Sequence, residues 1–153
     1  MGLFDKVTKQ VKVTQQLDDG AALSSPEAFA AIALAAVASD GYLSEEEAQS
    51  IPFILSHMQL FKAYSDDMMR RLFDKLLARL QHSGVEALVV SAKDSLEPDL
   101  RETAFTVATD LVLADGVVTE EEETFLQDLQ GKLGIDSDLA QQVVRVMTIK
   151  NRG

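Results

Sequence analysis

The sequence predicts an all-α fold, a compact domain of about seven or eight helices that contains two pseudo-repeated helix-turn-helix units. Three observations predict it. Apolar residues recur at three- and four-residue spacing along most of the chain, as in Met69, Leu72, Phe73, Leu76, Leu77 and Leu80. Helix start and stop signals bracket these stretches. No stretch alternates like a strand; Tyr42-Leu43 and Val117-Val118 are too short for more than two-residue bridges.

Residues 1–24 read as an amphipathic segment followed by a linker, and residues 25–153 as the helical domain. Leu3, Phe4, Val7 and Val11 share one side of a helical wheel, with Lys6, Lys9 and Lys12 on the other. The polar run through Asp18-Asp19-Gly20 leads to Pro26 in the first turn of a helix, with Ser25 as its predicted N-cap. That helix, about Pro26 to Ser39, is apolar on nearly every face and so belongs in the middle of the core. Gly41 ends it. Ser44 opens the next, in which Pro52 predicts a kink or a stop at Ile51, with a continuation through Phe53–Leu60. Ser65 or Asp66 caps a long leucine-striped helix, and the Met68-Met69 pair is assigned to the core with the stripe. Gly84 closes that helix or separates it from a shorter one over Val85 to Lys93. A second central helix runs from about Pro98 to Ala114 with Phe105, Val107, Ala108, Leu111 and Val112 inward. Thr119 caps the next, which Gly131 or Gly134 ends. Asp136 caps the last, whose apolar face is Val143, Val144, Met147 and Ile149.

At 153 residues and 46% apolar content the chain suits one hydrophobic core. Its 25 acidic residues exceed its 14 Lys and Arg and give a net charge of −11, which argues against a nucleic-acid partner, since phosphate binding needs a basic face. The absence of cysteine removes disulfides, thiolate chemistry and Cys-containing zinc sites. The longest apolar run, Ala28 to Ala38, falls well short of the roughly 18–20 residues that cross a bilayer, and Met1–Val13 lacks a secretory pattern. The expectation is a cytoplasmic protein, with peripheral contact to the inner membrane through residues 3–13 as a weaker option.

The strongest signal is internal. At an offset of 75 residues, Ser39-Asp-Gly-Tyr-Leu-Ser-Glu-Glu-Glu47 superimposes without a gap on Ala114-Asp-Gly-Val-Val-Thr-Glu-Glu-Glu122. Asp40 with Glu45–Glu47, and Asp115 with Glu120–Glu123, supply nine of the 25 acidic residues, so the acidity is local. Helix capping explains part of this: Asp-Gly is a common helix stop, and Ser44 with Glu47, like Thr119 with Glu122, spells a capping box. One Glu completes a box. Three or four in a row repel one another, which points to a cationic ligand.

Oxygen-only donors in a tight glycine turn suit a hard divalent cation, with Ca²⁺, Mg²⁺ or Mn²⁺ favoured over Zn²⁺. With Asp40 at position 5 of an EF-hand loop, Gly41, Ser44 and Glu47 fall at 6, 9 and 12, and Asp115, Gly116, Thr119 and Glu122 do the same. Positions 1 and 3 are then Ala36 and Ala38, or Leu111 and Leu113, so a full EF-hand cage is excluded and half a ligand set is left.

The opening Met1-Gly-Leu-Phe-Asp-Lys6, the Ala-rich helix running into Ser39-Asp-Gly41, and the second Ala114-Asp-Gly116 with its Glu-rich helix start resemble the TerB-like tellurite-resistance proteins. That helical domain is also similar to the N-terminal domain of DjlA-type membrane co-chaperones, although no J-domain follows here. The resemblance spans nearly the whole chain. It implies a helical domain with internal pseudo-repeats, metal-chelating acidic residues, no catalytic activity or organic cofactor, and membrane-associated complexes with other tellurite-resistance or stress proteins. Carried onto this sequence, the implied metal ligands are Asp40, Glu47, Asp115 and Glu122, with Ser44, Glu46, Thr119 and Glu121 as auxiliaries.

Enzymatic signatures are missing. His57 and His82 have no partner at helical spacing for a zinc helix, and no GxSxG, phosphate-loop or GxGxxG motif occurs. Asp110 interrupts an apolar helix, either facing water or pairing with Arg101 or a C-terminal base such as Arg145. The leading expectation is a non-enzymatic, metal-responsive module. The alternative is an interaction adaptor, co-chaperone-like or a membrane-complex scaffold, whose acidic turns serve as helix caps or as a docking face for a basic partner.

Overall fold

A computed structural model describes residues 22–41 and 43–152. Among the described residues six α-helices follow one another: α1 (Ser25–Val37), α2 (Glu45–Leu55), α3 (Asp66–Lys93), α4 (Pro98–Leu113), α5 (Glu120–Leu133) and α6 (Ser137–Lys150). Short 3₁₀ turns occupy Ala38–Asp40 and Gln59–Phe61, and no strand occurs among the described residues. The all-α class is as predicted. The helix number among the described residues is lower than seven or eight, partly because α3 spans a non-helical break at Gly84, φ 87° and ψ 172°, which separates residues 85–93 from the leucine-striped stretch as expected. The amphipathic stretch 3–13 lies outside the described residues.

Helix α1 is the axis of the domain. Every residue from Ala28 to Ala36 is buried, and the helix packs chiefly on α3 and α4. Its alanines allow neighbouring backbones to approach closely, while Phe29, Ile32 and Leu34 fill the gaps between them. Helix α4 in turn packs on α6 and α5, burying Phe105, Ala108 and Val112; Val107 and Leu111 are partly buried against the same core.

The cap of α1 is Ser24, one residue before the expected Ser25. Glu27 stands three residues after Ser24 and completes a capping box, whereas Ala28, three after Ser25, has no side-chain acceptor. The Ser24 amide donates to Glu27 Oε1 at 2.9 Å, and the Ser25 hydroxyl donates to the Ser95 carbonyl instead. Lys75 Nζ meets the other Glu27 oxygen at 2.9 Å and ties α3 to the start of α1. Burial pushes the Glu27 carboxyl up, but the Ser24 hydrogen bonds and the Lys75 ammonium outweigh it and leave it below its usual 4.5. A carboxylate held low stabilises the fold above its unfolded pKa and loses that contribution as pH falls through its folded value. Glu27→Gln, which keeps an acceptor and loses the charge, is therefore expected to cost about 0.5 kcal/mol at pH 7. Thermal melts of the two proteins should converge as the pH is lowered below 4.5; a gap that does not narrow as the pH falls would exclude the ion pair as its cause.

Several local expectations give way to tertiary packing. Pro52 does not stop α2 at Ile51: the helix runs on to Leu55, because Ile51 and Leu55 are fully buried and the Ser56 amide bonds the Pro52 carbonyl at 2.9 Å. It does not continue to Leu60; the chain turns and sends Phe61 into the core, edge-on to Phe29. Met69 is buried while Met68 is exposed, as expected of residues about 100° apart on a helix. Ile149 is likewise exposed, and α6 fully buries only Ala140. Gly134, at φ 67°, ends α5, and Gly131 lies within it. Asp110 accepts from Lys150 Nζ at 3.1 Å and Asn151 Nδ2 at 2.9 Å; the C-terminal base that it pairs with at the end of α6 is Lys150 rather than Arg145.

Candidate functional site: two acidic turns

The same local geometry recurs at both acidic turns. After α1, Gly41 takes φ 85° and donates its N–H to the Ala38 carbonyl; after α4, Gly116 takes φ 77° and donates to the Leu113 carbonyl. Positive φ is the region that a Cβ disfavours, so glycine is what lets the chain leave each helix and start the next so soon. Ser44 then caps α2: its hydroxyl accepts from the Glu47 amide at 3.0 Å and donates to Glu47 Oε1 at 2.9 Å. Thr119 caps α5 alike, accepting from the Glu122 amide at 3.1 Å while its own amide donates to Glu122 Oε1 at 3.0 Å. Asp115 Oδ1 accepts from the Val117 amide at 3.1 Å and stiffens the second turn.

The predicted site residues therefore have different duties. Glu47 and Glu122 each commit one carboxylate oxygen to a cap, and Ser44 and Thr119 are the cap residues themselves. Glu45, Glu46, Glu120, Glu121 and Glu123 are exposed, and none has an ion pair among the described residues. Asp40 ends the 3₁₀ turn that packs against α5, which brings the first turn beside the helix opened by the second. Ala36 and Ala38 are buried in and just after α1, and Leu111 and Leu113 lie within α4, so the apolar half of the EF-hand register is confirmed as core.

The donor chemistry suits a hard cation, whereas the number of donors held together does not make a cage. Among the described residues no three Asp, Glu or His side chains gather as a metal-holding group. The arrangement fits a cation that keeps most of its water and is attracted by net charge, in the way Mg²⁺ and weakly held Ca²⁺ are bound. His57 sits on the surface, its ring edge-on to Phe53 at 5.0 Å, away from any such role.

Two features were not visible as patterns in the sequence. Phe53 is 70% exposed on α2, and a groove of about 520 Å³ runs between α2 and α3. A second groove, about 570 Å³, lies between α5 and α6 over α4. No described helix is long and apolar enough to cross a membrane.

Fold and turns together define an all-helical module with two glutamate-rich helix starts. The family model for the tellurite resistance protein TerB matches residues 26–144, and the chain belongs to that family. Neither a curated protein nor a solved structure matches it.

Proposed function

We propose that the chain is a non-enzymatic, cation-responsive module of a tellurite-resistance or stress-response system, and that its two acidic turns face divalent cations. Family membership supports the system. The observation that carries the cation is the recurrence, at both helix starts, of exposed glutamates that no basic side chain among the described residues neutralises and that capping does not need. The ligands proposed are Asp40, Glu47, Asp115 and Glu122, assisted by Ser44, Glu46, Thr119 and Glu121. Their pairing at a 75-residue offset supports a reading of the domain as two related units. Calorimetric titration of chelator-treated protein with Ca²⁺, Mg²⁺, Mn²⁺ and Zn²⁺ tests this. Saturable heat with a Kd of roughly 10⁻⁴ to 10⁻³ M for the harder ions is expected; no saturable heat with any ion ends the cation reading.

A second reading is favoured by the capping boxes, which hold both turns in place without a ligand. In it the acidic turns are part of a docking face for a basic partner, another protein of the tellurite-resistance or stress system. Lys substitution at Glu46 and Glu121 reverses that charge without touching either box.

A further inference from the structure

The two grooves are related by the same 75-residue offset as the turns. Pro52, Met69 and Arg70 line the first, and Gln127, Val144 and Arg145, their counterparts 75 residues on, line the second. Each groove thus lies between the helix that an acidic turn opens and the helix after it.

Their chemistry differs. The first groove has Asp66 where the second has Gln141, and Asp74 where the offset gives Ile149. Glu45, the first residue of α2, joins Asp66 and Asp74 on its rim. Among the described residues Arg70 is the one cation that lines it, and it is held by Asp67 at 2.7 Å. The rim is net negative. Beneath it run Pro52, Met69, Phe73 and Leu77, and Phe53 stands beside them 70% exposed. At the position equivalent to Phe53 the second unit has Asp128, which pairs with Lys132 at 2.7 Å. Phe53 extends the apolar floor to the open edge of the groove, so the groove offers a partner an apolar surface rimmed by carboxylates.

We propose that the groove between α2 and α3 binds a basic amphipathic helix of another protein. Its apolar stripe lies along Phe53 and Leu77, and its lysines or arginines face Glu45, Asp66 and Asp74. The eleven residues of α2 span about 16 Å, which matches about three turns of a partner helix laid along it. The proposal rests on the docking reading of the acidic face and names its partner; it does not need a cation.

The test uses the full chain and a fluorescein-labelled 14-residue Leu/Lys peptide of amphipathic helical pattern, with a scrambled peptide of identical composition, read by fluorescence anisotropy. Phe53→Asp and Asp74→Lys alter exposed side chains, so their thermal midpoints should stay near that of the parent and certify folding. Each is expected to raise the Kd of the patterned peptide at least tenfold, and the scrambled peptide should bind at least tenfold more weakly to the parent. Equal binding by both variants, or by both peptides, overturns the proposal. If Glu46→Lys with Glu121→Lys weakens binding and Phe53→Asp does not, the groove is excluded and the turns remain the dock. If Phe53→Asp abolishes binding and the turn variant does not, the groove stands and the turns are excluded. Lys6→Glu, Lys9→Glu and Lys12→Glu together in the full chain should leave the Kd unchanged; tenfold tighter binding would assign the groove to the chain's own N-terminal segment. A dimer in sedimentation velocity that Phe53→Asp dissociates would assign it to a second copy. Either result overturns an external partner.

Discussion

Phe29→Ala is expected to lower the unfolding free energy by about 3–5 kcal/mol, the upper range for removing one side chain from a core. Phe29 is fully buried on the central helix, and its ring meets Phe61 edge-on at a centroid distance of 6.3 Å. Its neighbours along α1 are alanines, which have no rotamers with which to fill the space, so the cavity would stay open. The Phe61 contact adds to the loss, because the 3₁₀ turn that follows α2 is anchored by that ring. Urea unfolding followed by circular dichroism should show a lower midpoint at unchanged slope, and melting should begin roughly 10 °C lower. A loss below about 1.5 kcal/mol would mean that α1 is not the element on which the others are built.

That centrality was legible in the sequence because it depends on composition alone: a helix apolar on every face has nowhere to go but the interior. The turns were legible for a similar reason, since an Asp-Gly stop and a box of Ser or Thr with Glu three residues later are local chemistry. Where local signals competed, partners distant in sequence decided. Both Ser24 and Ser25 can cap; Glu27 chose the first, and the Ser95 carbonyl engaged the second. Pro52 is a helix breaker by propensity, yet the buried Ile51 and Leu55 on either side of it hold the helix together. Asp110 found Lys150 and Asn151, about 40 residues away, whereas its own helix could not say whether it faced water, Arg101 or a C-terminal base. The groove beside Phe53 had no signature at all. Phe53 reads as one more apolar residue in a helix, and only the placement of α3 shows which side of α2 is covered.

Calcium at 10 mM is expected to raise the thermal midpoint by about 5–10 °C, and Gln at Glu45, Glu46, Glu120 and Glu121 together should remove most of that rise by withdrawing the surrounding charge that draws a hydrated cation to Asp40, Glu47, Asp115 and Glu122. For a Kd near 10⁻⁴ M this concentration is about a hundredfold excess, which stabilises the folded state by about 2.7 kcal/mol, and a domain of this size gains about 2–4 °C per kcal/mol. The four substitutions spare Glu47 and Glu122, so both capping boxes survive and any change reports on the exposed charge. Without calcium two effects oppose each other. Each first-turn carboxylate gains about 0.3–1 kcal/mol from the helix dipole, while like-charged neighbours a turn apart lose about 0.2–0.5 kcal/mol per pair. The variant should therefore melt within a few degrees of the parent in chelator and well below it in calcium. Sodium chloride of equal ionic strength separates the explanations, because screening relieves repulsion in the parent whatever the ion, whereas a held divalent cation acts beyond screening. A midpoint that rises equally with sodium chloride and with calcium would reduce the acidic turns to helix caps whose excess charge is merely screened.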